Sequence, residues 1–204
     1  VAPVPDTTDD QTLLAALGIA QRVGVTGEVD LVAAVAHARA FVRCLEELPP
    51  GAEVVDLGSG GGLPGIVIAH DRPDVRVTLV ERRRSRADLL VRMAGRIMRA
   101  DSSDRDRVRV VGDDAERVMT PPGGFDAATA RSFGPPEATL RAAVHLVRSG
   151  GLVVVSDPPT DTQGRWTPEL LAQCGVEFEP VLDQATRISR FRVLPDVSRE
   201  TSPH

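Results

Sequence analysis

Apolar positions along the chain follow two different periods. From Glu28 to Leu48 they recur at Leu31, Val35, Ala38, Phe41, Val42, Leu45 and Leu48, the spacing of a helix with one buried face. Pro49-Pro50-Gly51 closes that helix. A shorter helix is expected over Gln11–Ala20, preceded by a Pro- and Asp-rich tail. Beyond Pro50, short β-type runs alternate with amphipathic stretches. Strands are expected at Glu53–Leu57, Val75–Val80, Val108–Val111, Phe125–Ala130 and Leu152–Ser156. Between them, helices are expected at Ile66–His70, Arg83–Arg99, Asp114–Met119 and Glu137–Val147. Val176–Leu182 and Ile188–Leu194 should pair as a closing antiparallel ribbon. Regular alternation with short connections predicts an α/β fold: a Rossmann-like, doubly wound, mostly parallel sheet with an N-terminal helical extension. The expected division is a disordered tail over 1–10, helices over 11–50, the ligand-binding α/β domain over 51–197 and a second tail over 198–204.

Asp56-Leu57-Gly58-Ser59-Gly60-Gly61-Gly62-Leu63-Pro64-Gly65 lies between the first strand and its helix. Open α/β sheets bind ligands there, at the carboxyl ends of their strands. Gly60-x-Gly62-x-x-Gly65 formally matches a dinucleotide fingerprint, a weak signal by itself. Asp56 argues against it, because a carboxylate repels a pyrophosphate and suits a cationic ligand. Asp56-x-Gly58-x-Gly60-x-Gly62 is instead the acid-and-glycine pattern of S-adenosylmethionine (SAM) sites. Glu81, at the end of the second strand, can accept two hydrogen bonds from ribose hydroxyls. Gly112-Asp113-Asp114-Ala115-Glu116 follows the third strand, where adenine contacts are expected; either Asp could instead cap a helix. After the fourth strand, Arg131 could hold an anionic group of the cofactor or acceptor. Ser132 is placed with the acceptor side, and Phe133 could stack on a planar acceptor or pack in the core.

These residues together resemble the class I SAM-dependent methyltransferases. More narrowly, they resemble the bacterial 16S rRNA guanine-N7 methyltransferase family. Val55–Ile66 is close to that family's loop, including its Leu-Pro-Gly end; Arg72-Pro73-Asp74, Glu81, Ala115-Glu116 and Phe125-Asp126…Arg131 also match. The resemblance covers roughly positions 29–156 and implies that residues 51–197 form a SAM-binding methyltransferase domain. It implies cofactor contacts from Gly58, Leu63, Ala115, Glu116 and Arg131. Ser59, Gly60, Gly62 and Asp114 complete the expected cofactor set. Departures cluster on the acceptor side. Asp157-Pro158 stands where the family has Lys-Gly, Ser85-Arg86 replaces a basic pair, and His37 alone remains of a Trp-x-Arg-His signature. His37 is therefore a candidate acceptor contact with Arg131, Ser132 and Phe133.

Composition adjusts this picture in four ways. All 24 basic residues are Arg, which excludes lysine Schiff-base chemistry. Tyr is absent and aromatics make up 3%, too few for a base-stacking platform. Net charge is -5, yet Arg82–Arg109 carries ten Arg against four Asp, about +6, so the acidity lies elsewhere. That stripe could track phosphates or be a solvated helix face. Two widely spaced Cys and no Cys/His ligand pattern give no disulfide framework and no expected metal. No targeting or membrane segment is apparent, so a cytoplasmic chain is expected. The expected function is methyl transfer from SAM to a ring nitrogen of ribosomal RNA. The acidic charge and Asp157-Pro158 keep open a planar small-molecule acceptor, or a non-catalytic SAM-binding protein. No catalytic base is apparent, and attack by an aromatic nitrogen needs none.

Overall fold

The computed structural model describes residues 7–98, 106–158, 164–181 and 186–195. Helices α1 (Thr7–Arg22) and α2 (Leu31–Cys44) come first. Then follow β1 (Glu53–Leu57), α3 (Gly65–Asp71), β2 (Arg76–Val80), α4 (Arg84–Ile97) and β3 (Val108–Val111). After a 3-10 turn at Ala115–Arg117 come β4 (Phe125–Ala130), α5 (Pro136–Leu146), β5 (Val147–Ser156), α6 (Pro168–Cys174), β6 (Val176–Glu179) and β7 (Ile188–Val193).

The seven strands lie in the order β3-β2-β1-β4-β5-β7-β6. The first five are mutually parallel; β7 runs antiparallel to both β5 and β6. Strand order therefore reverses between β1 and β4, and a crevice opens at their carboxyl ends. Alternation along β1 feeds two cores. Val54 faces one layer with α1 to α4, while Val55 and Leu57 face the layer of α5 and α6. The expected α/β sheet and its antiparallel ribbon are both present.

The N-terminal helices belong to the first layer. Leu13, Leu17, Val35 and Phe41 share one buried cluster with Leu79, Leu90 and Met93. Arg39 of α2 fastens them: its guanidinium pairs with Asp10 of α1 and donates to Asp71 of α3 at 2.8 Å. Asp30 caps α2, accepting from Val32 N at 2.9 Å and Ala33 N at 3.3 Å.

Several boundaries differ from the periodicity. α1 starts at Thr7 rather than Gln11, and α2 ends at Cys44 although Leu45 and Leu48 stay buried beyond it. β5 begins at Val147, five residues early, because Val147 pairs with Phe125 before a register shift. The short helix expected over Asp114–Met119 shrinks to the 3-10 turn. α6 was not legible from apolar spacing. Its signals are local: Thr167 accepts from Leu170 N as N-cap, Pro168 opens the helix, and Gly175 closes it at φ 66°. Of the tail expected over 1–10, residues 7–10 are instead helical in α1; residues 1–6, the tail expected at 198–204 and the end of the helix expected to reach Arg99 lie outside the described residues.

Candidate active site

The Gly-rich loop turns at the carboxyl end of β1, and Asp56 holds its underside. The Asp56 side chain is fully buried. Oδ1 accepts from Thr129 Oγ1 at 2.7 Å, and Oδ2 accepts from Gly65 N at 3.2 Å. Ser59 Oγ donates back to the Asp56 carbonyl at 2.9 Å. Burial pushes the Asp56 carboxyl up to about 6; these hydrogen bonds and the Arg131 charge oppose the shift. Gly65 has to be glycine, because a Cβ there would sit 2.3 Å from Leu79 Cδ2 and 2.6 Å from Asp56 Oδ2. Gly58 is the other demanding position. It adopts φ 67°, and a Cβ would lie 2.9 Å from Phe133 Cδ2.

Two cavities flank the Phe133 ring. The smaller, about 340 Å³, is bounded by Gly58, Glu81, Asp113, Asp114, Ala115 and the Arg82, Arg83 and Arg86 side chains. The larger, about 510 Å³, is bounded by His37, Arg131, Thr139, Asp157, Arg165 and Arg187. Ser132 and Phe133 line both. Ser132 holds a left-handed φ of 56°, which bends the chain so that the following ring covers Gly58. Glu81 directly follows β2, with Oε1 accepting from Arg83 N at 2.8 Å, and Oε2 faces Gly60.

Cationic and neutral polar groups converge in the larger cavity. Arg131 Nη1 is buried without a hydrogen-bond partner, as is His37 Nδ1. Such orphaned donors and acceptors mark a place for a ligand or water. Burial, then the charges of Arg131 and Arg187, holds the His37 imidazole below its usual range, against a hydrogen bond to the Thr186 backbone. His37 stands edge-on to Phe41, with ring centroids 5.9 Å apart. Asp157 also borders this cavity, yet its charge is answered inside the protein. Oδ1 accepts from Trp166 Nε1 at 2.9 Å and lies 3.4 Å from Arg165 Nε; Oδ2 accepts from Ser189 Oγ at 2.6 Å.

The model of the family described as rRNA small subunit methyltransferase G matches residues 32–157, more than half of the chain. The chain belongs to this family. A member from Sorangium cellulosum is 41% identical over 113 residues, 54% of this chain and 45% of its own length. One from Frankia alni is 31% identical over 158 residues, 71% of this chain and 57% of its own. The chain spans about half the length of the curated relatives it matches. Among solved structures, geranyl diphosphate C-methyltransferase from Streptomyces coelicolor superposes with a TM-score of 0.60 at 16% identity. That superposition covers 78% of this chain and 79% of the other, and it supports the class I methyltransferase fold.

Within this family frame, the residues singled out in the sequence separate into three groups. Gly58, Glu81, Asp114, Ala115, Ser132 and Phe133 line the smaller cavity, and His37 and Arg131 line the larger. Asp56, Ser59, Gly62 and Leu63 are buried and shape the loop from beneath, while Gly60 sits against Glu81. Glu116 is exposed on the 3-10 turn and lines neither cavity. Arg82 and Arg83 are exposed at the mouth of the smaller cavity, so part of the basic stripe reaches the crevice. Sequence reasoning missed Arg165 and Arg187. Both lie beyond the last clear strand-helix unit, and only the antiparallel return of β7 brings Arg187 beside Asp157. Among the described residues, no group of three or more His, Cys, Asp or Glu could hold a metal, and no helix is long and apolar enough to cross a membrane.

Proposed function

We propose that the chain transfers a methyl group from SAM to a ring nitrogen of ribosomal RNA, of the guanine N7 type, in the cytoplasm. The observation that carries this reading is the adjacent pair of cavities that share Ser132 and Phe133, with Glu81 lining one and Arg131, whose Nη1 lacks a hydrogen-bond partner, lining the other. Residue by residue, the groove fits the cofactor. Glu81 can accept from the ribose hydroxyls, and Asp113, Asp114 and Ala115 border an adenine position. Gly58 lets the backbone approach closely, and Arg131 Nη1 can donate to a carboxylate. The bound cofactor would supply an electrophilic methyl group on its sulfonium.

Asp56 contributes rigidity to this scheme. Its bonds to Thr129 and Gly65 fix the ends of β1 and β4 and the start of α3 relative to one another. Phe133 can stack on a planar base that enters the larger cavity. His37, kept neutral by burial and by Arg131, offers a lone pair to a base N–H. A ring nitrogen attacks with its own lone pair and has no proton to lose, so positioning is the main work left to the protein. Well-oriented reactants gain up to ~7–11 kcal/mol from positioning. The curated relatives named ribosomal RNA small subunit methyltransferase G support ribosomal RNA as acceptor. Asp157 does not argue against it, since Trp166, Ser189 and Arg165 absorb its charge.

Incubating the chain and methyl-labelled SAM with small ribosomal subunits, naked ribosomal RNA and a metabolite extract tests the acceptor. Label is expected in RNA as a base-labile, N7-type product. Label in metabolites alone would favour the small-molecule acceptor, and SAM binding without transfer would favour a non-catalytic protein.

A further inference from the structure

We propose that Arg165 and Arg187 form a phosphate-binding subsite on the far wall of the larger cavity, seating a phosphodiester beside the base to be methylated. This rests on reading the acceptor as a nucleic acid. Neither arginine lies in the stretch matched by the family model, which ends at residue 157.

Charge is the first argument. Three arginines, 131, 165 and 187, line the cavity, and Asp157 is the one carboxylate among the described lining residues. Asp157 sets one negative charge, 3.4 Å from Arg165 Nε, against three arginines, so the lining keeps a net positive charge. The cavity therefore favours an anion, beyond the one position that Arg131 can serve for the cofactor.

Preorganisation is the second. Arg165 Cζ lies 5.1 Å from the Trp166 ring centroid, and Trp166 in turn packs edge-on against the buried Phe191 at 4.9 Å. Arg165 Nε lies near Asp157 Oδ1 but is buried without an aligned hydrogen bond. Its guanidinium is thus located by its neighbours while retaining unused donor capacity. Arg187 is held through its backbone: it adopts φ 52°, and its carbonyl accepts from Asp157 N at 2.8 Å. Asp157 gathers both arginines, one through its side chain and one through its amide. Guanidinium forks match phosphate oxygens in pairs, and the charge strengthens each of those bonds. The cavity volume, about 510 Å³, suits a ligand larger than a bare base and falls within the roughly 300–1,000 Å³ of small-ligand sites.

Guanosine 5′-monophosphate and guanosine, titrated into the full chain by calorimetry, test the subsite. S-adenosylhomocysteine is kept present so that neither probe enters the smaller cavity. The monophosphate is expected to bind about tenfold or more tightly than the nucleoside, as charged hydrogen bonds warrant. Arg165→Ala combined with Arg187→Gly should abolish that preference; glycine suits the left-handed backbone at 187. Arg165→Lys should keep part of it, and thermal melts establish that each variant is folded. No preference in the wild type, or a preference that survives in the folded double variant, overturns the subsite. Methyl transfer to ribosomal RNA by the wild type is measured in parallel. Should that transfer fail while the phosphate preference holds and depends on both arginines, the ribosomal acceptor is wrong and the subsite stands.

Discussion

Asp56 Oδ1 accepts a 2.7 Å hydrogen bond from Thr129 Oγ1, tying β1 to β4 at the point where the strand order reverses. The acid that opens the Gly-rich motif is therefore a strut beneath the crevice. Asp56→Ala would leave the Thr129 hydroxyl and the Gly65 amide without their acceptor in a dry site. Each unsatisfied buried group costs about 1–3 kcal/mol, part of which is offset by removing a buried charge. The expected outcome is a stability loss of about 1–3 kcal/mol in urea denaturation, together with weaker SAM binding. Unchanged stability would remove the strut role.

The buried Asp56 and the half-buried His37 give the chain opposing pH dependences. Asp56 titrates at about 6 in the fold against an ordinary 3.8, so its folded state binds a proton more tightly. Its contribution to stability is fully present below the unfolded value and is lost as pH rises through about 6. The stability difference between wild type and Asp56→Asn should therefore shift in favour of wild type as pH falls from above 6 toward 4.

His37 runs the other way. Its folded value lies below the ordinary 6.5, so the unfolded chain takes up the proton first as pH falls. Stability from the neutral imidazole is then lost on acidification below about 6.5. His37→Gln should flatten this part of the stability profile. Proton NMR of the His37 ring should give a midpoint below 6.5; a midpoint above it would contradict the burial and arginine effects.

Gly58 and Phe133 should be energetically coupled. Gly58→Ala places a Cβ 2.9 Å from the Phe133 ring and forces an L residue to φ 67°, where the backbone alone costs roughly 1–2 kcal/mol. Phe133→Ala relieves the clash and leaves the backbone cost. A double-mutant cycle on stability should show the second substitution recovering part of the first. Strict additivity would mean that the ring does not rest on the glycine.

The fold was legible because strand and helix periods alternate cleanly from Glu53 to Ser156. α6 and the early start of β5 were not. The first is specified by its Thr167 and Gly175 caps rather than by an apolar stripe, and the second by a register shift near Gly151. For the site, Gly58, Glu81 and Arg131 stand at fixed places in strand-turn-helix units, so position alone points to them. Asp56 was legible as a site residue, but its inward orientation depends on Thr129, a strand away in space and 73 residues away in sequence. Asp157 read as a charge reversal in the acceptor cavity. Arg165 supplies the counter-charge while Trp166 and Ser189 donate hydrogen bonds, a set that only the folded chain brings together.

Calorimetric titration of SAM into the wild-type chain and into Glu81→Ala decides whether the smaller cavity is the cofactor site. One-to-one binding by the wild type is expected, with an affinity about tenfold or more lower in the variant, the scale of lost hydrogen bonds to a charged acceptor. Absence of binding by the folded wild type, or equal affinity in the variant, would contradict that assignment.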